Sequence, residues 1–251
     1  MQYIWGQKTM TNNTILEIKD LNVLHGDLQA IYDVSMKIEK GRIVSIIGAN
    51  GAGKSTLLNT VMGIHSPASG SIVFEDEEIT GKRTSAIATR GLSMTPEGSR
   101  VFADMTVMEN LLMGAYLPVA KKAMAEQLEK VYEMFPILKE KSSQLASFLS
   151  GGQRQMLSIA RAIMMNPKLI ICDEISLGLA PVVIQDIYAK VKELNSMGLT
   201  FILVEQEVKR SLRYSDYSYV LVKGRVVLEG KSSELSRSDV SDAYFGINRF
   251  A

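Results

Sequence analysis

At 251 residues with 46% hydrophobic side chains, the chain is long enough for one large α/β domain or two small ones around a sizeable core. A net charge of +1 gives no footprint for nucleic acid or an anionic membrane surface, and a single cysteine excludes an intrachain disulfide and fits a reducing compartment. No apolar run approaches the roughly 18 residues of a membrane helix, and residues 1–13, read as an N-terminal extension, lack the apolar centre of a secretory signal, so a membrane role would have to come through a partner.

From residue 14 the chain alternates apolar and polar side chains in three short runs, 15–18, 21–24 and 34–38. Turns at His25-Gly26-Asp27 and Glu39-Lys40-Gly41 break them, and the period of two predicts an antiparallel sheet. Residues 43–47 are a buried strand by their apolar run. They lead into Gly48-Ala49-Asn50-Gly51-Ala52-Gly53-Lys54-Ser55-Thr56, which fits G-x-x-x-x-G-K-[ST], and a helix follows over 55–62. Triphosphate oxygens must meet main-chain N–H groups at close range, which is why glycines stand at 48, 51 and 53. The helix start attracts the anion, Lys54 reaches the β- and γ-phosphates, and the Ser55 hydroxyl faces Mg²⁺.

Residues 66–70 read as a loop, 71–74 as a strand and 85–90 as helical. Over 92–165 strand signals are scarce. Segments 106–116 and 119–135 are apolar at helical spacing, and Pro118 and Pro136 punctuate them. This predicts a helical insertion at 92–165 within an α/β core formed by 14–91 and 166–251. Leu149-Ser150-Gly151-Gly152-Gln153 precedes a helix over 154–165 that stops at Asn166-Pro167. Ser150-Gly151-Gly152 is then either a second anion-binding device at a helix start or a glycine-rich N-cap. The apolar runs 169–172 and 200–204 read as parallel strands covered on both faces, 182–195 as their crossover helix, and 219–222 with 225–229 as a hairpin. Asp173-Glu174 ends the first of those strands, on the edge where ligands sit in parallel sheets. Asp173 there suits a direct or second-shell contact to Mg²⁺, and Glu174 suits the group that polarises an attacking water; the alternative is an ordinary strand-end turn.

Two anion cradles in one chain are a puzzle, since one nucleotide has one γ-phosphate. Two copies facing head to tail, with ATP between them, would use both. Together the loop at 48–56, Leu149–Gln153 and the strand ending in Asp173-Glu174 resemble the ATP-binding-cassette ATPases, in order and spacing, over about residues 15–235. Pro96-Glu97-Gly98-Ser99-Arg100-Val101-Phe102, Ser176-Leu177-Gly178-Leu179-Ala180-Pro181 and Val204-Glu205-Gln206 are similar to the ATPase subunits of branched-chain amino acid importers.

That resemblance implies a phosphate-loop nucleotide-hydrolase core, a mostly parallel sheet flanked by helices, with an antiparallel β subdomain and an inserted helical subdomain. It implies ATP and Mg²⁺ as ligands. Glu97 falls where most cassettes place a glutamine sensing Mg²⁺ and the γ-phosphate, near the contact with the membrane subunit. Gln206 falls where most carry a histidine on the γ-phosphate. Residues 176–181 correspond to the loop crossing the cassette dimer, and Ser150 and Gly152 act on the opposite molecule's nucleotide. His25 stands where an aromatic side chain usually stacks on adenine, and is otherwise a plain turn residue. Ile175 replaces the usual proline after the catalytic glutamate. The implied partners are transmembrane permease subunits, a second cassette ATPase, identical or paralogous, and, indirectly, a periplasmic or surface substrate-binding protein. No nucleic acid is implied. The implied place is the cytoplasm, at the inner face of the membrane. Rivals are a cassette ATPase acting on nucleic acid or ribosomes, a small-molecule kinase, and the same machine with another cargo such as urea, short amides or an exported lipid.

Overall fold

The computed structural model describes residues 13–245; of the expected N-terminal extension only Asn13 lies within them. The three alternating runs at the start become two long strands. β1 (Thr14–His25) and β2 (Leu28–Glu39) pair antiparallel across the tight turn at Gly26. The apparent gap between the first two runs is a bulge. Register shifts between Ile18 and Leu21 and again between Leu21 and Val23, and Asp20 on β1 (φ 47°) and Asp33 on β2 (φ 46°) take left-handed backbone there. The Asn22 amide bonds both Asp20 O, at 3.0 Å, and Asp33 Oδ1, at 2.8 Å. The strand twists through the irregularity without ending.

β3 (Ile43–Ile47) and α1 (Lys54–Val61) flank the glycine-rich loop. β4 (Ser69–Phe74) then adds to β1, and β5 (Glu77–Glu78) completes the sheet order β2-β1-β4-β5. Ser69 and Gly70, expected in a loop, belong to that strand. A Cβ on Gly70 would lie 2.5 Å from Asp20 O, so glycine lets β4 pass under the bulge.

After α2 (Thr84–Ala88) comes β6 (Leu92–Thr95), which pairs parallel with β7 (Leu169–Asp173) in the register Leu92↔Leu169. Residues 92–95 are therefore core sheet, and the helical segment begins after them. The strand is short and half polar, but its polar side chains are buried and bonded: Ser93 Oγ donates to Met165 Sδ at 3.2 Å and Thr95 Oγ1 to Ile171 O at 3.3 Å. Helices follow as α3 (Val107–Gly114), α4 (Pro118–Met134), α5 (Pro136–Glu140) and α6 (Gly151–Ile163). Thr106 and Glu109 form a capping box on α3, and Pro118 and Pro136 occupy first-turn positions of α4 and α5, where a missing N–H costs nothing.

α7 (Pro181–Ser196) crosses over from β7 to β8 (Thr200–Glu205), and α8 (Val208–Tyr214) leads to β9 (Tyr217–Val222) and β10 (Arg225–Lys231). Lys223 (φ 46°) and Gly224 (φ 76°) supply the two positive dihedrals that a two-residue hairpin turn requires. α9 (Arg237–Phe245) closes the described chain.

The main sheet runs β10-β9-β3-β8-β7-β6, parallel except for the β9/β10 hairpin, and every residue of β3, β7 and β8 is buried. One face, with Val44, Ile46, Ile171 and Val204, packs on α1 and the antiparallel sheet. The other, with Ile170, Cys172, Phe201 and Leu203, packs on the helical segment through Leu111, Val131 and Leu157. The helical segment thus shares its core with the sheet. No described helix is long and apolar enough to cross a membrane.

Candidate functional site

The site is built at the carboxyl edge of the parallel strands. The loop between β3 and α1 wraps tightly: a Cβ on Gly48 would fall 2.9 Å from Leu221 O and 3.0 Å from Ala52 Cβ, so no larger residue fits. Gly53 takes φ 104° as the N-cap of α1, and no side chain caps that helix start. Its first N–H groups therefore face the loop, the arrangement that binds anions.

Lys54 is 5% exposed. Its ammonium donates to Gly48 O at 2.9 Å and Ala49 O at 3.1 Å, and lies 3.2 Å from Glu174 Oε1. Glu174 is 8% exposed and adopts φ 47°. Its N–H donates to Val204 O at 2.9 Å, and its Oε2 accepts Gln206 Nε2 at 2.6 Å. Asp173 and Gln206 follow from neighbouring strands, since β7 and β8 pair with Asp173 opposite Val204. The Asp173 carboxyl is pushed up to about 6, by burial first and then by the negative charge of Glu174 and Glu97, with Lys54 opposing.

A cavity of about 410 Å³ opens over this group, and Lys54, Ser55, Glu97 and Glu174 line it. The structure therefore brings together Lys54, Ser55, Glu97, Asp173, Glu174 and Gln206. Sequence reasoning missed Gln29, Tyr32 and Lys223, which wall the same cavity from β2 and the β9/β10 turn. Their only signal lies in the fold: Tyr32 N–H donates to Gly224 O at 2.8 Å, which pulls β2 over the loop. Two larger hollows, of about 800 and 640 Å³, lie elsewhere and contain none of the loop residues. His25 reaches the loop from the end of β1, with Nε2 3.2 Å from Thr56 Oγ1 and its ring edge-on to His65 at 4.9 Å. Ile175 is 1% exposed and packs in the helical-side core.

Leu149–Gln153 stands apart. Ser150 is the N-cap of α6: Gln153 N–H donates to Ser150 Oγ at 3.3 Å and Ser150 N–H to Gln153 Oε1 at 3.0 Å. A Cβ on Gly151 would meet Leu179 at 3.5 Å and one on Gly152 would meet Val183 Cγ1 at 2.6 Å, so the helix start abuts the loop at 176–180 and the first turn of α7. No residue of 149–153 lines the cavity over Lys54.

Three carboxylates near one lysine leave an excess of negative charge that fits a divalent cation. Among the described residues no group of His, Cys, Asp and Glu is arranged to hold a metal by itself. A cation here fits only as Mg²⁺ usually binds, through a few protein oxygens and the substrate's phosphates.

A model of the ABC transporter family matches residues 31–176, more than half of the chain. The chain is 46% identical over 233 residues to the high-affinity branched-chain amino acid transport ATP-binding protein BraG of Pseudomonas aeruginosa, covering 92% of this chain and 100% of that protein. It is 36% identical over 241 residues to the probable branched-chain amino acid transport ATP-binding protein LivG of Methanocaldococcus jannaschii, covering 91% and 94%. A nucleotide-free ATP-binding cassette from an ABC transporter superposes with a TM-score of 0.81 at 32% identity, over 92% of this chain and 98% of that one. A cassette structure in the ADP conformation gives 0.80 at 33% identity, over 93% and 99%. With the family model matching more than half of the chain, relatives similar along nearly its whole length and the fold shared with solved cassettes, the chain belongs to the ABC transporter family as an ATP-binding cassette.

Proposed function

We propose that this chain is the ATP-hydrolysing subunit of a membrane importer for branched-chain or related amino acids, and that two cassettes close on ATP to drive it. The observation that carries the reading is the meeting of Lys54, Glu174 and Gln206 at the mouth of the phosphate loop. The loop N–H groups and Lys54 take up phosphate charge, the main contribution in phosphoryl transfer. Glu174 orients the attacking water or accepts its proton, and Gln206 holds that carboxylate in place. A glutamine offers no titrating imidazole, so it acts by hydrogen bonding alone. Ser55 and Asp173, with Glu97 beside them, are the residues to hold Mg²⁺, which when bound neutralises charge on the β- and γ-phosphates. His25, beside Thr56, is placed to contact the nucleotide's base.

The start of α6, where Ser150 is exposed, supports action in trans. Ser150 and Gly152 face a second cassette's γ-phosphate, and the loop at 176–181 lies along the same contact. Membrane-spanning subunits dock near Phe102, which places the chain at the inner face of the membrane. The cargo is inferred from the names of the BraG and LivG relatives. Glu174→Gln tests the chemistry: it binds MgATP and forms a nucleotide-dependent pair with its partner cassette, but hydrolysis nearly stops. Turnover at the wild-type rate in that variant refutes the role of Glu174. Uptake of radiolabelled leucine by the reconstituted complex, against urea or short amides, decides the cargo.

A further inference from the structure

One buried carboxylate has no part in these roles. Glu205 ends β8, is 3% exposed and immediately precedes Gln206. Ser176 Oγ donates to its Oε2 at 2.8 Å, and Tyr188 of α7 donates its hydroxyl to Oε1. Arg210 of α8 brings Nη1 to 3.7 Å from Oε2 and donates the same nitrogen to Ser176 Oγ at 2.5 Å. The Glu205 main-chain carbonyl also accepts the Gly48 N–H at 3.3 Å. The preceding residues, Phe201 to Val204, are apolar and fully interior, so packing alone does not call for a carboxylate here.

The partners tie together segments that meet Glu174 from both sides. Glu174 sits in a tight turn with positive φ, and Leu177 N–H donates to its carbonyl at 3.1 Å. Fixing Ser176 therefore fixes the far side of that turn. Fixing the end of β8 fixes Gln206, which holds the Glu174 carboxylate. A non-glycine residue at positive φ stays there only where its surroundings over-determine it. We propose that Glu205 is a positioning residue for hydrolysis. It clamps the loop at 176–180 to the end of β8 and so sets the geometry of the Gln206–Glu174 pair.

The inference rests on the role of Glu174 given above. The test compares Glu205→Gln, Ser176→Ala, Tyr188→Phe, the Glu205→Gln/Ser176→Ala double variant and Glu174→Gln in the full-length chain with its partner cassette. The readouts are kcat and KM for MgATP, equilibrium binding of a fluorescent ATP analogue, and thermal melting. Loss of the clamp lowers kcat about tenfold in Ser176→Ala and in Glu205→Gln, with KM and analogue affinity within about twofold of wild type. The double variant is no worse than the weaker single one, because both break one unit. A kcat within about twofold of wild type in folded Ser176→Ala, losses that multiply, or a loss confined to KM overturns the proposal. Should Glu205→Gln fail to fold, Ser176→Ala and Tyr188→Phe decide it, since each deletes one hydroxyl. Wild-type turnover in Glu174→Gln sinks the reading of Glu174 and the clamp with it. A dead Glu174→Gln beside fully active clamp variants sinks the clamp alone.

Discussion

Replacing Gly152 by alanine tests how closely α6 is fitted to α7. The added Cβ falls 2.6 Å from Val183 Cγ1, whereas ordinary contact begins at 3.4 Å. The two helix starts must separate by nearly an ångström, or Val183 must leave its rotamer. Overpacking of this kind costs about 1–3 kcal/mol. For a domain of this size that lowers Tm by roughly 2–12 °C. The methyl points at Val183 and away from the loop cavity, so ATP-analogue binding to the single chain stays at wild-type affinity, while the pairing of two cassettes weakens. Val183→Ala in the same chain removes the obstructing methyls and restores most of the lost stability and pairing. Thermal melts and sedimentation in MgATP of the two single variants and the double variant form a double-mutant cycle. Additive effects, with no recovery in the double variant, refute the argument, because they mean that the Val183 contact is not what excludes a side chain from position 152.

Lys54→Ala removes the buried ammonium from Gly48 O, Ala49 O and Glu174, and lowers ATP-analogue affinity by about two orders of magnitude; equilibrium fluorescence checks it, and unchanged affinity would place the phosphate elsewhere. Phe102→Glu puts a charge on an exposed ring that stacks under Arg161 at 5.0 Å, and should leave nucleotide binding intact while reducing co-purification with membrane subunits; full transport by that variant shows that docking lies elsewhere. Glu75 is held below its ordinary pKa of 4.5 by hydrogen bonds from Lys168 and then Lys40. A depressed carboxylate stabilises the fold above its unfolded pKa and loses that contribution as pH falls through the folded value. Glu75→Gln therefore costs up to about 1 kcal/mol at pH 7 for this partly exposed pair, and the difference from wild type shrinks below pH 4.5. A gap that is constant with pH in urea titrations rules out the charge as its source.

The legible parts of the fold were those written locally. The strand, glycine loop and helix at 43–61 are contiguous, so the phosphate cradle could be read residue by residue, and the apolar run ending in Asp173-Glu174 announced its own sheet edge. Glu97 and Gln206 came into view only through family resemblance. Gln206 reaches Glu174 because β7 and β8 align Asp173 with Val204, a pairing between segments some thirty residues apart that no local pattern encodes. β6 was hidden because a buried strand of four residues satisfied its serine and threonine internally. β1 was cut in two because a bulge interrupts alternation without interrupting the strand. α8 and α9 lacked a clear apolar stripe, and Tyr32 looked like any alternating strand residue until the hairpin at Gly224 bound its main chain.

β7 and β8 send alternate residues into two different apolar cores. Sliding either strand by one position would exchange greasy neighbours for greasy neighbours, so water has little to say about their alignment. The vernier lies at the strand tips. A slip would drag Asp173 or Glu205 into the hydrocarbon and unhook Glu205 from Ser176 and Tyr188. The groups assigned to phosphate chemistry and its support thus also gauge the sheet's registration, and this protein settles its topology and its working edge in a single step.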